Sequence, residues 1–290
     1  MMPMNLAEIA RVVDGTVDGD TSVVVDGPAF LDSRAPMPGG LFVAVPGEHV
    51  DGHDFAPQAH AGGAAAVLGS RATGVPSVLV DDPVAALGRL ARHVLDTLCP
   101  TVLALTGSQG KTGTKDYLAQ VLAGAGPTVA TAGNLNNELG VPLTVLRADP
   151  TTQYLVIEMG ARGVGHVRYL CEIAPPHVAA VLNVGTAHLG EFGSREAIAV
   201  AKGEIVEALA ADGTAVLNAD DELTLAMTSR TDAAALTFGT GGDVSWRGVE
   251  LDDLGRPSFD LGHRGAWHRV RLAQTGLHQV ANAAAAAAMA

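Results

Sequence analysis

Apolar residues in this chain fall into short continuous runs, separated by glycine-bearing polar loops and by stretches with helical spacing. The runs at 102–105, 154–157, 177–182 and 215–217 predict strands buried on both faces. The segments 111–123, 164–173, 196–209 and 222–227 predict helices between and after them. Repetition of strand, glycine loop and helix is the pattern of a mostly parallel sheet covered by helices on both faces, and such sheets place ligands at the carboxyl ends of their strands.

Residues 1–98 predict a smaller α/β unit, with a helix at 6–13, strands at 23–25, 41–45, 64–68 and 77–80, and a helix that opens on Pro83 and runs to about residue 98. The Gly-, Pro- and Asp-rich stretch 32–54 is too polar for a core and suits binding loops. Pro100 marks the expected boundary, giving domains 1–98 and 99–290 within an α/β fold class. Trp246, Phe259 and Trp267, set among charges and glycines across 244–272, predict an antiparallel excursion. The last segment, 276–290, predicts an alanine-rich helix that stops without a cap, so the expectation is a fragment of a longer chain.

Composition narrows the function classes. Hydrophobic residues make up 48% of the 290 and aromatics only 4%, so the core rests on Ala, Val and Leu. A net charge of −13 with no basic cluster argues against nucleic acid as a partner. Cys99 and Cys171 lack the close spacing of a zinc knuckle or a disulfide framework. No basic stretch followed by an apolar core opens the chain, and no apolar run is long enough to cross a bilayer. The expectation is a soluble cytoplasmic monomer with no membrane insertion.

The strongest chemical signal is Leu105-Thr106-Gly107-Ser108-Gln109-Gly110-Lys111-Thr112, an apolar strand entering a glycine loop that opens a helix on Lys-Thr. Phosphate loops need that context, because backbone N–H groups and the helix start converge on phosphate oxygens. Lys111 would neutralise the terminal phosphates and the Thr112 hydroxyl would ligate magnesium. Leu105 stands where the common pattern has its first glycine, so the loop is a variant. Glu158 ends an apolar strand and would deliver a carboxylate beside that loop, as a second metal ligand. His188, in the polar loop after the strand 177–182, reads as either a structural histidine or a metal ligand. Lys202 reads as either an exposed helical lysine or a half-buried amine.

Taken together, the phosphate loop, the segment 133–144 (Gly-Asn-Leu-Asn-Asn-Glu-Leu-Gly-Val-Pro-Leu-Thr), Glu158-Met159-Gly160-Ala161 and the stretch from Asn183 through His188 to Lys202-Gly203-Glu204 resemble the Mur ligases. Residues 217–221 and 276–282 add to the likeness. The resemblance implies an ATP- and magnesium-dependent ligase of peptidoglycan precursor synthesis. In it Gly107, Ser108, Gln109, Gly110, Lys111 and Thr112 hold phosphates, His278 and Asn282 lie near adenine, Thr112, Glu158 and His188 bind metal, and Lys202 is carbamylated. It also places Ser33, Arg34, Gly52 and His53 at the UDP end of the substrate, and Asn134, Asn136 and Arg162 nearer the muramoyl-peptide. The segment 133–144 is most like the branch that joins D-alanyl-D-alanine to UDP-N-acetylmuramoyl-tripeptide; the branch that adds the third stem-peptide residue is the alternative. Members of the family carry a further C-terminal domain that closes over ATP. Two other readings stay open, a simple P-loop NTPase or kinase and a non-catalytic nucleotide-binding fragment.

Overall fold

A computed structural model describes residues 1–47, 49–186 and 189–290. The chain divides into two compact units, Met1–Pro100 with Glu138–Thr152, and Thr101–Asn137 with Gln153–Ala290. The α/β class expected from the pattern of apolar runs is the one observed, with a large, mostly parallel sheet flanked by helices.

The first unit is built on a five-stranded sheet in the order Thr16–Asp18, Ser77–Leu79, Ala66–Gly69, Leu41–Val43, Ala29–Phe30, parallel except for its first pair. Helix Leu6–Val13 starts where the Asn5 side chain accepts from the Glu8 N–H and Glu8 returns a bond to the Asn5 N–H, a reciprocal cap. Helix Pro83–Leu98 starts on Asp82, whose carboxylate accepts from the N–H groups of Val84 and Ala85. Residues 138–152, which the sequence reading assigns to the second domain, belong instead with the first unit. The reason is the short helix Gly140–Val145, buried at every position and packed against Pro83–Leu98. An all-apolar helix must be covered on every side, and a contiguous reading of the chain cannot see a partner so far back in sequence.

The second unit carries a nine-stranded sheet in the order Thr128–Ala130, Tyr154–Glu158, Thr101–Thr106, Val178–Val181, Thr214–Asn218, Ala234–Phe238, Val244–Leu251, Pro257–His263, Ala266–Arg271. The last two pairings are antiparallel, as the aromatic spacing predicts, and the rest are parallel. Two strands escape the sequence reading. Thr128–Ala130 is short, and Ala234–Phe238 opens on two alanines with no β-branched run to mark it. Leu103 and Leu105 share a core with Leu118 and Leu122 of helix Lys111–Ala123 and with the alanines of helix His278–Met289. Helix Arg195–Glu207 packs on the strands Thr101–Thr106 and Val178–Val181, with His166–Ile173 beside it. From Thr101–Thr106 the chain goes to Thr128–Ala130 on one side, and after Tyr154–Glu158 it crosses to Val178–Val181 on the other, so the carboxyl end of Thr101–Thr106 lies at a topological switch point.

Candidate functional site

The loop after Thr101–Thr106 meets helix Lys111–Ala123 through Gly110, which holds φ 80°. A side chain at that position would be strained, and a Cβ there would also displace Asn282 Oδ1, which lies 2.5 Å from where it would stand. Gly110 at the N-cap has no side chain to cap this helix, so its first amides and the positive end of its dipole face the loop. Lys111 curls back to donate to the Gly107 carbonyl at 2.9 Å. Burial lowers its pKa, while the charge of Glu158 works the other way.

Glu158 ends strand Tyr154–Glu158 almost fully buried, at 1% exposure. Its two carboxylate oxygens accept from Thr112 Oγ1 at 3.1 Å and from Asn136 Nδ2 at 2.8 Å. Two neighbouring ligands of a six-coordinate magnesium with bonds of about 2.0–2.1 Å stand roughly 3 Å apart, so the Thr112 and Glu158 oxygens already have the spacing of such a pair. Both are hard oxygen donors. Among the described residues no three His, Cys, Asp or Glu side chains cluster as a metal cage would need. An oxygen pair beside a phosphate loop suits an ion that keeps its waters and completes its shell with phosphate oxygens.

A pocket of about 460 Å³ is lined by residues 108–113, Asn134, Asn136, Glu158, His278, Gln279 and Asn282. The fold therefore brings together the loop, the carboxylate and the start of the last helix, which lie far apart in sequence. Beside it a pocket of about 200 Å³ is lined by Lys111, Arg162, His166 and Lys202, with Asn136, Asn137 and Gly160, and no carboxylate among the described residues. Lys202 is 5% exposed, which decides between its two readings in favour of the buried amine. Burial first, and the Lys111 charge second, push its pKa down to about 8. Glu204, near it in sequence, points elsewhere: it accepts from the N–H groups of Gly165 and Arg168 and so caps helix His166–Ile173. His188 lies outside the described residues.

Asn183, which the sequence reading names only as the start of a motif, has a role at this site that the reading missed. Its Oδ1 accepts from the N–H groups of Ser108 at 3.0 Å and Gln109 at 2.9 Å, and its Nδ2 donates to the Gln109 carbonyl at 3.0 Å. Ser108 Oγ in turn accepts from the Gly185 N–H at 2.9 Å, which ties the phosphate loop to the segment leading toward His188. The available signal was position alone, a polar residue immediately after a buried strand.

The first unit holds a separate pocket of about 850 Å³, walled by Leu31, Phe42, Val43, Val45, Phe55 and Leu139 and edged by Asp32, Ser33, Arg34 and Gly52. Arg34 clasps Asp32 through Nε and Nη2, both at 2.8 Å, and that hydrogen bonding holds the Asp32 carboxyl down at about 2. His53 is buried, at 2% exposure, and does not line this pocket. Its Nε2 accepts from the Ser70 N–H at 2.8 Å, so Nδ1 carries the hydrogen and donates to Asp51. With both ring nitrogens engaged, His53 fixes the turn 51–53. Gly52 is required there because a Cβ would stand 2.7 Å from the Val45 carbonyl oxygen.

Residues 105–290 match the model of the Mur ligase middle domain, and residues 30–94 that of the Mur ligase family catalytic domain. Along its whole length the chain is 47% identical to UDP-N-acetylmuramoyl-tripeptide–D-alanyl-D-alanine ligase of Mycobacterium bovis, covering 63% of that protein. A crystal structure of MurF from Acinetobacter baumannii aligns with TM-score 0.90 and 36% identity over 99% of this chain and 64% of that one. The MurF ligase of Thermotoga maritima, solved in complex with ADP, aligns with TM-score 0.78 and 36% identity over 89% of this chain and 61% of its own. The chain thus spans somewhat less than two thirds of the length of the relatives it matches.

Proposed function

This chain belongs to the Mur ligase family, and from that premise we propose that it carries the nucleotide-binding and UDP-substrate-binding parts of a cytoplasmic ligase that joins D-alanyl-D-alanine to UDP-N-acetylmuramoyl-tripeptide at the expense of ATP, a step of peptidoglycan precursor synthesis. The observation that carries the reading is the meeting of Lys111, Thr112 and Glu158 at the loop, beside a pocket that Lys111, Arg162 and Lys202 line. The 47% identity to a ligase of that name supports the choice of substrates.

A free carboxylate resists attack by an amine because it is anionic and has no leaving group. Transfer of the γ-phosphoryl group to the tripeptide's terminal carboxylate makes an acyl phosphate and ADP. The dipeptide amine then adds to the acyl carbon, loses a proton, and expels phosphate. Gly107–Thr112 amides and Lys111 would hold the transferring phosphoryl group and neutralise charge spreading over its oxygens. Magnesium, held by Thr112 and Glu158, would supply a further positive charge on the polyphosphate. Arg162 and Lys111 line the adjacent pocket beside Lys202, and their charges would draw a carboxylate substrate there. Asn134 and Asn136 line the phosphate-loop pocket, Asn136 lines the adjacent one as well, and His278 and Asn282 would border the base. Ser33, Arg34 and Gly52 would meet the UDP end in the first unit, with His53 acting through the turn it fixes.

Lys202 with its pKa near 8 is part uncharged at neutral pH, as carbamylation requires. Its amine would add to carbon dioxide, forming an N–C bond and releasing one proton, and the resulting anion would face Lys111 and serve a second metal together with His188. The test of the whole reading is release of ADP that requires UDP-muramoyl-tripeptide and D-alanyl-D-alanine together. ADP release indifferent to either substrate would favour a simple NTPase, and nucleotide binding without turnover a binding module.

A further inference from the structure

Lys115 is a lysine at 4% exposure, one helical turn past Lys111 on the helix that opens the phosphate loop, and the chemistry above leaves it without a task. Buried lysines are rare unless something holds them. Its Nζ donates to the Thr131 carbonyl at 2.8 Å and pairs with Asp116 at 2.8 Å. Thr131, itself 2% exposed, follows the edge strand Thr128–Ala130.

The ladder between that edge strand and Tyr154–Glu158 is parallel, with Val156 opposite Ala130. Its last backbone rung runs from the Thr131 N–H to the Val156 carbonyl at 3.0 Å. In a regular parallel ladder the next rung would take the Glu158 N–H to the Thr131 carbonyl. That carbonyl is turned to Lys115 instead, and the Glu158 N–H donates to the Thr131 hydroxyl at 3.0 Å. The substitution has two consequences. Glu158 keeps a fixed backbone at the sheet's last position, and the chain beyond Thr131 peels off into the loop that carries Asn136. Asn136 then returns to the end of the neighbouring strand, donating from Nδ2 to Glu158 Oε1 at 2.8 Å and accepting at its backbone carbonyl from the Gly160 N–H at 2.7 Å.

We propose that Lys115 and Thr131 are positioning residues that hold the Glu158 carboxylate, and with it Asn136, in the orientation needed for a divalent cation on the nucleotide's phosphates. The inference rests on the nucleotide and metal reading of the site. Neither residue touches phosphate or metal; both act through the end of the strand. A hydroxyl at position 131 is essential and its methyl group is not, so Thr131→Ser retains the function and Thr131→Val loses it.

The experiment is calorimetric titration of this chain with ATP, once in EDTA and once with excess magnesium, for wild type, Thr131→Val, Thr131→Ser and Lys115→Met. Wild type binds ATP more tightly with magnesium. Thr131→Val and Lys115→Met lose about tenfold or more of that magnesium-dependent gain, the range typical of residues one step behind a metal ligand. Their affinity in EDTA stays within about twofold of wild type, and Thr131→Ser behaves as wild type. A residue of purely structural value would lower both affinities, or the melting temperature alone. Thr131→Val with the full magnesium gain overturns the proposal. Wild type with no magnesium gain overturns the reading of the site on which it rests.

Discussion

The phosphate-loop site of the second unit, with its two adjoining pockets, and the pocket of the first unit solve opposite recognition problems. In the second unit the charges are inside: Glu158, Lys115 and Lys202 are each at most 5% exposed. In the first unit the pocket wall is apolar, and the charges of Asp32 and Arg34 sit at its rim, with side chains 49% and 84% exposed. Burying a charge is costly, and a site that keeps several of them in place is held for its field. A rim pair in water is screened, and its value is in orienting a ligand that the apolar wall already holds. The phosphate-loop pocket should therefore respond steeply to the loss of single charges, and the first-unit pocket weakly.

Lys111→Ala tests the steep side. It should reduce ATP affinity and any ATP-dependent ligation by about a hundredfold or more, as removal of a donor aimed at developing charge does, with the melting temperature little changed. An affinity within a factor of about three of wild type would erase the contrast between the pockets. Lys202→Ala should cripple ligation, with partial recovery when formate or acetate is added to occupy the place of the carbamate. The amine's pKa falls from 10.5 to about 8, so its reactive neutral fraction grows as pH rises through 8. Labelled carbon dioxide should therefore give a carbamate signal that strengthens from pH 7 to pH 9 and is missing from Lys202→Ala. A signal that weakens over that range contradicts the assignment.

The first unit should show small, pH-shaped effects. Hydrogen bonds from the His53 backbone and ring hold the Asp51 carboxyl at about 2, below its ordinary 3.8. A carboxyl whose folded pKa is lowered contributes stability that is present above about pH 4 and lost as pH falls toward 2. Asp51→Asn should flatten that acid limb of the melting curve and loosen the turn 51–53 while leaving ATP affinity unchanged. Arg34→Ala, at an exposed pair, should move the melting temperature least of all. A large loss of ATP affinity in either variant would show that the contrast has been drawn in the wrong place.

What was legible beforehand follows the same division. The strand, loop and helix around Lys111, and the strand ending on Glu158, announce themselves because a buried parallel strand needs a continuous apolar run and a phosphate loop needs glycine before lysine. The residues that orient these groups leave no such trace. Asn183 acts on the loop across more than seventy residues of sequence, and Thr131 matters only because a ladder stops beside it. His53 entered as a UDP-end residue through the resemblance of its segment, and its bond to Ser70, seventeen residues on, is one that sequence alone does not show. Residues 138–152 were placed with their neighbours in sequence, when the helix Gly140–Val145 is covered by one that ends some forty residues earlier. Periodicity reveals which face of an element is buried, and it is silent on what buries it.

A crystal structure of this chain soaked with manganese and a non-hydrolysable ATP analogue addresses the nucleotide site most directly, because the anomalous signal locates the ion independently of how the nucleotide is built. The terminal phosphates should lie against the amides at Gly110 and Lys111, with the ion bonded to Thr112 Oγ1 and the Glu158 carboxylate at little more than the roughly 2.1 Å of magnesium. Phosphates seated elsewhere, or an anomalous peak out of reach of Glu158, would contradict the site as described.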